Sequence, residues 1–192
     1  MSPARRVMLA SAGVASLVVV GWLLFVGMPR WYGRARSGPV SVAAPPQAAA
    51  PGRKIKASLF YVAEDGLRLT RVEGEAAFGE TPADQARHII EAQLAPVAEP
   101  LVSAVPPDVK LRAIFISDRG EAFVDVTGEL VSGHSGGSNN ERLTIYTLVN
   151  ALCANLPAVQ SVQLLVEGKQ IETLAGHIDL RHPLEKNLAL VE

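Results

Sequence analysis

Apolar and polar positions begin to follow a regular pattern at Lys54. KIKASLFYV, Lys54 to Val62, is rich in β-branched and aromatic residues and predicts a strand, and AEDG then supplies a turn into LRLTRVEGEA, a second alternating strand. TPADQARHIIEAQLA follows with a helical period: Ala83, Ala86, Ile90, Leu94 and Val97 fall on one face. Thr81 is placed to cap this helix, Pro82 occupies its first turn, and Asp84 lies three residues beyond the cap.

A second strand, strand, helix unit comes next. KLRAIFI, Lys110 to Ile116, echoes KIKASLF; the turn SDRG leads to EAFVDVTGEL, and SNNERLTIYTLVNALCANL reads as a helix. Ser138 and Glu141 have the Ser-x-x-Glu spacing of a capping box at its start. This helix is apolar on most sides, which predicts a deep position and makes Cys153 a small core residue. The strands of the two units start 56 residues apart (54 and 110) and the expected caps 57 apart (81 and 138), a regularity that points to internal duplication. A final hairpin is predicted in VQSVQLLV-EGKQ-IETL, where Val162, Leu164 and Val166 alternate and Glu167-Gly168 turns. The expected fold class is α+β: a two-layer sandwich of a mixed or antiparallel sheet with helices on one face, built from the duplicated unit plus the hairpin.

The region before Lys54 has another character. Val7 to Met28 is 22 residues without a charged side chain, bracketed by Arg5, Arg6 and Arg30, with Trp22, Trp31 and Tyr32 towards its end. At 1.5 Å per residue such a helix reaches about 33 Å, enough for a hydrocarbon core of about 30 Å, so a transmembrane signal anchor is expected over residues 7–28. Residues 1–6 form a short N-terminus, and residues 29–52, including GRARSGPVSVAAPPQAAAPG, are a Pro/Ala/Gly-rich linker without apolar periodicity. Residues 53–185 are the expected domain and 186–192 a tail.

Charge narrows the choice of partners. The first 52 residues hold five arginines and no acid; subtracting those five from the chain's 18 basic residues leaves 13 against 19 acidic ones, a net of −6. A mildly acidic domain with dispersed cations lacks the basic footprint of a nucleic-acid binder. Cys153 is the only cysteine, so there is neither an intrachain disulfide nor a Cys-x-x-Cys motif, and no acceptor for a lipid anchor lies near residue 20.

VPPDVKLRAIFISDRGEAFVDVTGEL, SGGSNNERLTIYTLVNAL and VQSVQLLVEGKQIETLAGHIDLRHPL together resemble the GerMN domain, a family named after a bacterial spore germination and sporulation protein. The resemblance runs from about Lys54 to Leu184. It implies a module similar to the ring-building modules of secretion and sporulation apparatus, without established catalytic activity, in proteins anchored at the cell envelope. On that basis the N-terminus is expected in the cytoplasm and the domain on the extracytoplasmic side of a bacterial plasma membrane. The expected role is scaffolding among envelope proteins or by self-association, with recognition of peptidoglycan fragments as the alternative. No cofactor is implied.

Three groups of residues bear on that choice. Ser135, Gly136, Gly137, Ser138 and Asn139 form, with His134 and Asn140, a polar glycine-rich loop at a helix N-terminus, where unpaired N–H groups can receive an anion. Walker and dinucleotide patterns are absent, and a turn plus a cap at Ser138 explains the same residues. A hydrolase could be assembled on paper from Ser135 or Ser138, His134 or His177, and Asp125 or Asp179, but no G-x-S-x-G elbow is present. Near the C-terminus, His177, Asp179 and His182 offer three metal-ligand types without a fourth nearby; a structural end to the last hairpin is the simpler reading, and no metal is expected.

Overall fold

A computed structural model describes residues 52–192. The expected membrane segment, Val7 to Met28, and nearly all of the linker lie outside the described residues; among those described, no helix is long and apolar enough to cross a membrane.

The molecule is α+β, and its strands form two sheets where one was expected. Strands β1 (Lys54–Val62) and β2 (Leu69–Ala77) pair antiparallel from Lys54 opposite Ala77 to Val62 opposite Leu69. In their connection Asp65 accepts hydrogen bonds from the backbone of Leu67 and Arg68. Helix α1 (Pro82–Leu94) follows, with Thr81 Oγ1 accepting from the Asp84 N–H. Its buried face is Gln85, Ala86, Ile89, Ile90 and Gln93, rotated from the expected stripe. Val97 lies beyond the helix, because Ala95 turns extended before Pro96, as residues preceding proline tend to do.

The second sheet has the order β3-β4-β5-β6. Strands β3 (Leu111–Ile116) and β4 (Glu121–Val126) are antiparallel, with an irregularity between Leu111 and Ala113. The expected continuation of β4 through TGEL does not form: Thr127 starts a turn, and Glu129–Ser132 is a single helical turn, α2. Helix α3 (Ser138–Asn155) then carries the chain back to β5 (Ser161–Val166), which pairs with β4 in parallel. The last hairpin is short, since β6 is only Lys169–Gln170; β7 (Leu184–Glu185) takes the other end of the same β5 edge.

Ala122, Val124 and Val126 of β4 and Val162 and Leu164 of β5 point into the core. Helix α3 packs on β1 and β5 and α1 on β1, β2 and β3, so the helices join the two sheets. Residues 186–192, expected to depart as a tail, return to the fold: Leu190 is buried, Val191 bridges Leu69, and the Glu192 N–H donates to the Leu69 carbonyl.

The inner edge of β1 is closed without a neighbouring strand. Asn155 of α3 holds Ser58, accepting from its N–H and donating to its carbonyl, both at 2.8 Å. Gln93 of α1 does the same for Phe60 at 2.8 and 2.9 Å, and the Val62 N–H donates to the Val102 carbonyl. Two side-chain amides thus complete a ladder that would otherwise leave buried backbone unsatisfied.

Candidate functional site

Ser138 does not cap α3. Gly137, at φ 87°, is the N-cap and provides no side chain, while Ser138 is the exposed first residue of the helix. The capping box fails because Glu141 turns inward. Its side chain is completely buried and accepts from the N–H groups of Leu174 (3.0 Å), Ala175 (2.9 Å), His177 (2.9 Å) and Ile178 (3.3 Å). The His177 ring adds Nδ1 at 2.9 Å from Glu141 Oε2; a carboxylate only accepts, so Nδ1 carries the hydrogen. Burial pushes the Glu141 carboxyl up, but the hydrogen bonds from Ala175, His177 and Ile178 prevail and hold it below the usual range. Gly176, at φ 92°, lets the chain curl around the carboxylate, and its N–H donates to Thr173 Oγ1.

The backbone N–H ring that receives a carboxylate thus belongs to the turn at 174–178 and not to the loop before α3, and its guest is Glu141. Beside it is a cleft of about 240 Å³ lined by Ser138, Asn139, Arg142, His177 and Ile178. Arg142 reaches Asn139 Oδ1 with Nη2 at 2.7 Å, while its Nε is shielded from solvent and has no hydrogen-bond partner. Asn139 also donates to the Gly66 carbonyl, tying the start of α3 to the β1–β2 turn. Ser135 Oγ accepts from Asn140, and His134 Nδ1 accepts from the Gly136 N–H. The loop residues are thus largely engaged with one another.

Of the groupings set aside above, Ser138 and His177 line one cleft and His177 and Asp179 another. Asp179 is clasped by Arg181 through a side-chain pair and a backbone N–H, which hold its carboxyl far below the usual range. His177 faces Glu141, and among the described residues no group of three metal-ligating side chains converges. Asp125, the other candidate triad acid, accepts from Arg112 at 2.6 Å and from the Gly168 N–H at 2.7 Å, fixing the final turn. Cys153 is buried, which pushes its thiol up. A cavity of about 350 Å³ between the end of α1 and the following loop is lined by apolar residues such as Leu94, Val97, Leu101 and Val105; Ser103 at its wall bonds the Val105 backbone.

Sequence reasoning missed Glu141 as an internal acceptor and the amides Gln93, Asn150 and Asn155 as clamps. Asn150, fully buried, grips Asn187 as Gln93 grips Phe60. The available signal was an amide interrupting an apolar helix face, as Gln85 and Gln93 do beside Ile89 and Ile90.

Comparison with known proteins places this geometry. A family model described as Germane, sporulation and spore germination, matches residues 58–172. A crystal structure of a Clostridium perfringens protein, named as a candidate lipoprotein, is similar in fold at 19% identity and a TM-score of 0.50, over 69% of this chain and 88% of that one. The tandem GerMN domains of the sporulation protein GerM from Bacillus subtilis are similar at 13% identity and a TM-score of 0.51, over 71% of this chain and 46% of that one. No curated protein sequence matches.

Proposed function

The chain belongs to the Germane family of sporulation and spore-germination domains, and from that membership we propose that it is a non-catalytic assembly module of the bacterial cell envelope, anchored through Val7 to Met28 with its domain on the extracytoplasmic side. Contact with envelope proteins or with further copies of itself is its work. One observation carries this reading: Phe115 stands 62% exposed on β3 beside Phe123 of β4, with ring centroids 6.3 Å apart, on a sheet whose opposite face is core. Aromatic side chains left at a domain surface suit a protein contact.

A second reading is favoured by the cleft that Ser138, Asn139, Arg142 and His177 line, where a guanidinium stands beside polar side chains: recognition of a carboxylate-bearing peptidoglycan fragment. One comparison tests both. The full chain should associate in a concentration-dependent way or cross-link to envelope proteins in cells, and Phe115→Lys should reduce this while Arg142→Gln leaves it intact. Binding to isolated peptidoglycan that is lost in Arg142→Gln, with no protein contact detected, would replace the first reading by the second.

A further inference from the structure

Each sheet ends in one strand with an uncovered stretch of edge, β3 in one and, in the other, β2 beyond the Leu69 end that Val191 and Glu192 cover; the two are built differently. The other edges are covered: that of β1 by Asn155, Gln93 and Val102, that of β5 by β6 and β7. Along the outer edge of β2, Glu73 and Glu75 are exposed and paired with Lys56 and Lys54, and such charges oppose the approach of another strand. Strand β3 carries one charge, Arg112 at its irregular start, which Asp125 and Glu167 draw inward along the sheet, and Ala113, Ile114, Phe115 and Ile116 carry none.

The register shows which groups the β3 edge offers. The Ser117 N–H donates to the Glu121 carbonyl at 2.9 Å, and antiparallel pairs alternate, so Phe115 opposite Phe123 exchanges its hydrogen bonds with β4. The N–H and carbonyl groups of Ile114 and Ile116 then face away from β4. Among the described residues they meet no other partner.

We propose that this edge pairs antiparallel with the same edge of a second copy, on a two-fold axis through Phe115. The proposal rests on the assembly reading above and names its partner and surface. Ile114 of one copy lies opposite Ile116 of the other, twice, and satisfies the four outward N–H and four outward carbonyl groups as far as a short seam allows. Phe115 meets its own counterpart at the position between these pairs, where Cα atoms approach to about 4.5 Å and side chains are closest. The most exposed large apolar side chain among the described residues is thereby covered. Charge agrees with the antiparallel sense: in this register Asp118, which has no ion-pair partner among the described residues, stands opposite Arg112 of the mate. The irregularity at Arg112 limits the seam to a few residues, so the association is reversible.

The test is sedimentation of the full chain in detergent over a wide concentration range. The parent should show a reversible monomer–dimer equilibrium. Ile114→Pro removes an outward N–H and no bond to β4, so it should weaken dimerisation about ten-fold or more; because the Ile114 side chain also packs on the core, Ile114→Ala is the control for lost packing and should dimerise like the parent. Independently, Phe115→Cys should form an interchain disulfide on oxidation while Ala113→Cys does not; the native Cys153 is buried. A dimer that tolerates Ile114→Pro and gives no Phe115→Cys disulfide overturns the pairing while the assembly reading stands. A chain that stays monomeric at every concentration also overturns it, and the assembly reading falls too only where no envelope protein cross-links.

Discussion

The two strand-strand-helix units reach nearly the same spacing by different routes. With Gly137 as the true cap of α3, the caps (81 and 137) lie 56 residues apart and the strand starts (54 and 111) 57. Yet the first unit has nine-residue strands and a four-residue step into its helix, whereas the second has six-residue strands and a longer step that includes α2. Four residues after each cap stands a buried polar side chain, Gln85 or Glu141. Gln85 binds its own connection, through the Gly79 N–H and the Ala77 carbonyl. Glu141 reaches across to the turn at 174–178. Length is shared between the units, but the first unit's polar anchor is local and neutral and the second's is distant and charged.

That contrast breaks first at Glu141. Glu141→Ala strips one buried carboxylate from four N–H groups and should lower unfolding free energy by about 4 kcal/mol, against about 1 to 2 kcal/mol for Gln85→Ala, both read from urea midpoints. Equal losses would erase the distinction. Only the Glu141 contribution should depend on pH. A carboxyl held below its unfolded value stabilises fully above about pH 4.3, the unfolded range, and loses that stabilisation as pH falls through the folded value. The gap between the parent and Glu141→Ala should therefore close in acid, while that for Gln85→Ala stays flat.

The amide clamps sharpen the comparison at the next level. Gln93→Ala leaves the buried Phe60 N–H and carbonyl without partners and should cost about 3 kcal/mol; Asn155→Ala, at the part-buried Ser58, about 1 to 2 kcal/mol. The two clamp neighbouring positions on one strand from different helices. A double variant whose loss differs from the sum in chemical denaturation would show that the helices hold β1 as one unit.

The smallest effect separates the caps. Thr81→Ala should cost about 1 kcal/mol, whereas Ser138→Ala should stay within about 0.5 kcal/mol, since its hydroxyl caps nothing. A melting-temperature series resolves this, and a loss at Ser138 matching that at Thr81 would contradict the assignment of Gly137.

Local pattern carried much of this into view. The strand starts at Lys54 and near Lys110, the cap at Thr81 and the depth of α3 were all legible, because alternation, helical period and capping are properties of neighbouring residues. Sheet membership was not. Whether β2 continues towards β3 depends on contacts that alternation does not encode, and the parallel pairing of β4 with β5 follows from the long crossover through α3. Glu141 misled for a related reason. Its spacing from Ser138 fits a capping box, but a carboxylate surrounded by five distant donors prefers them to one exposed N–H.

The turn around Glu141 has a consequence for recognition. It is in effect a small anion receptor whose guest belongs to the same polypeptide, presented at the high effective concentration that tethering confers. A free phosphate or peptide carboxylate would have to displace a guest that never leaves. The inner ring of N–H groups is therefore closed to visitors, and what this end of the molecule presents to solvent is the outer side of His177, 47% exposed, in the cleft that Arg142 also lines.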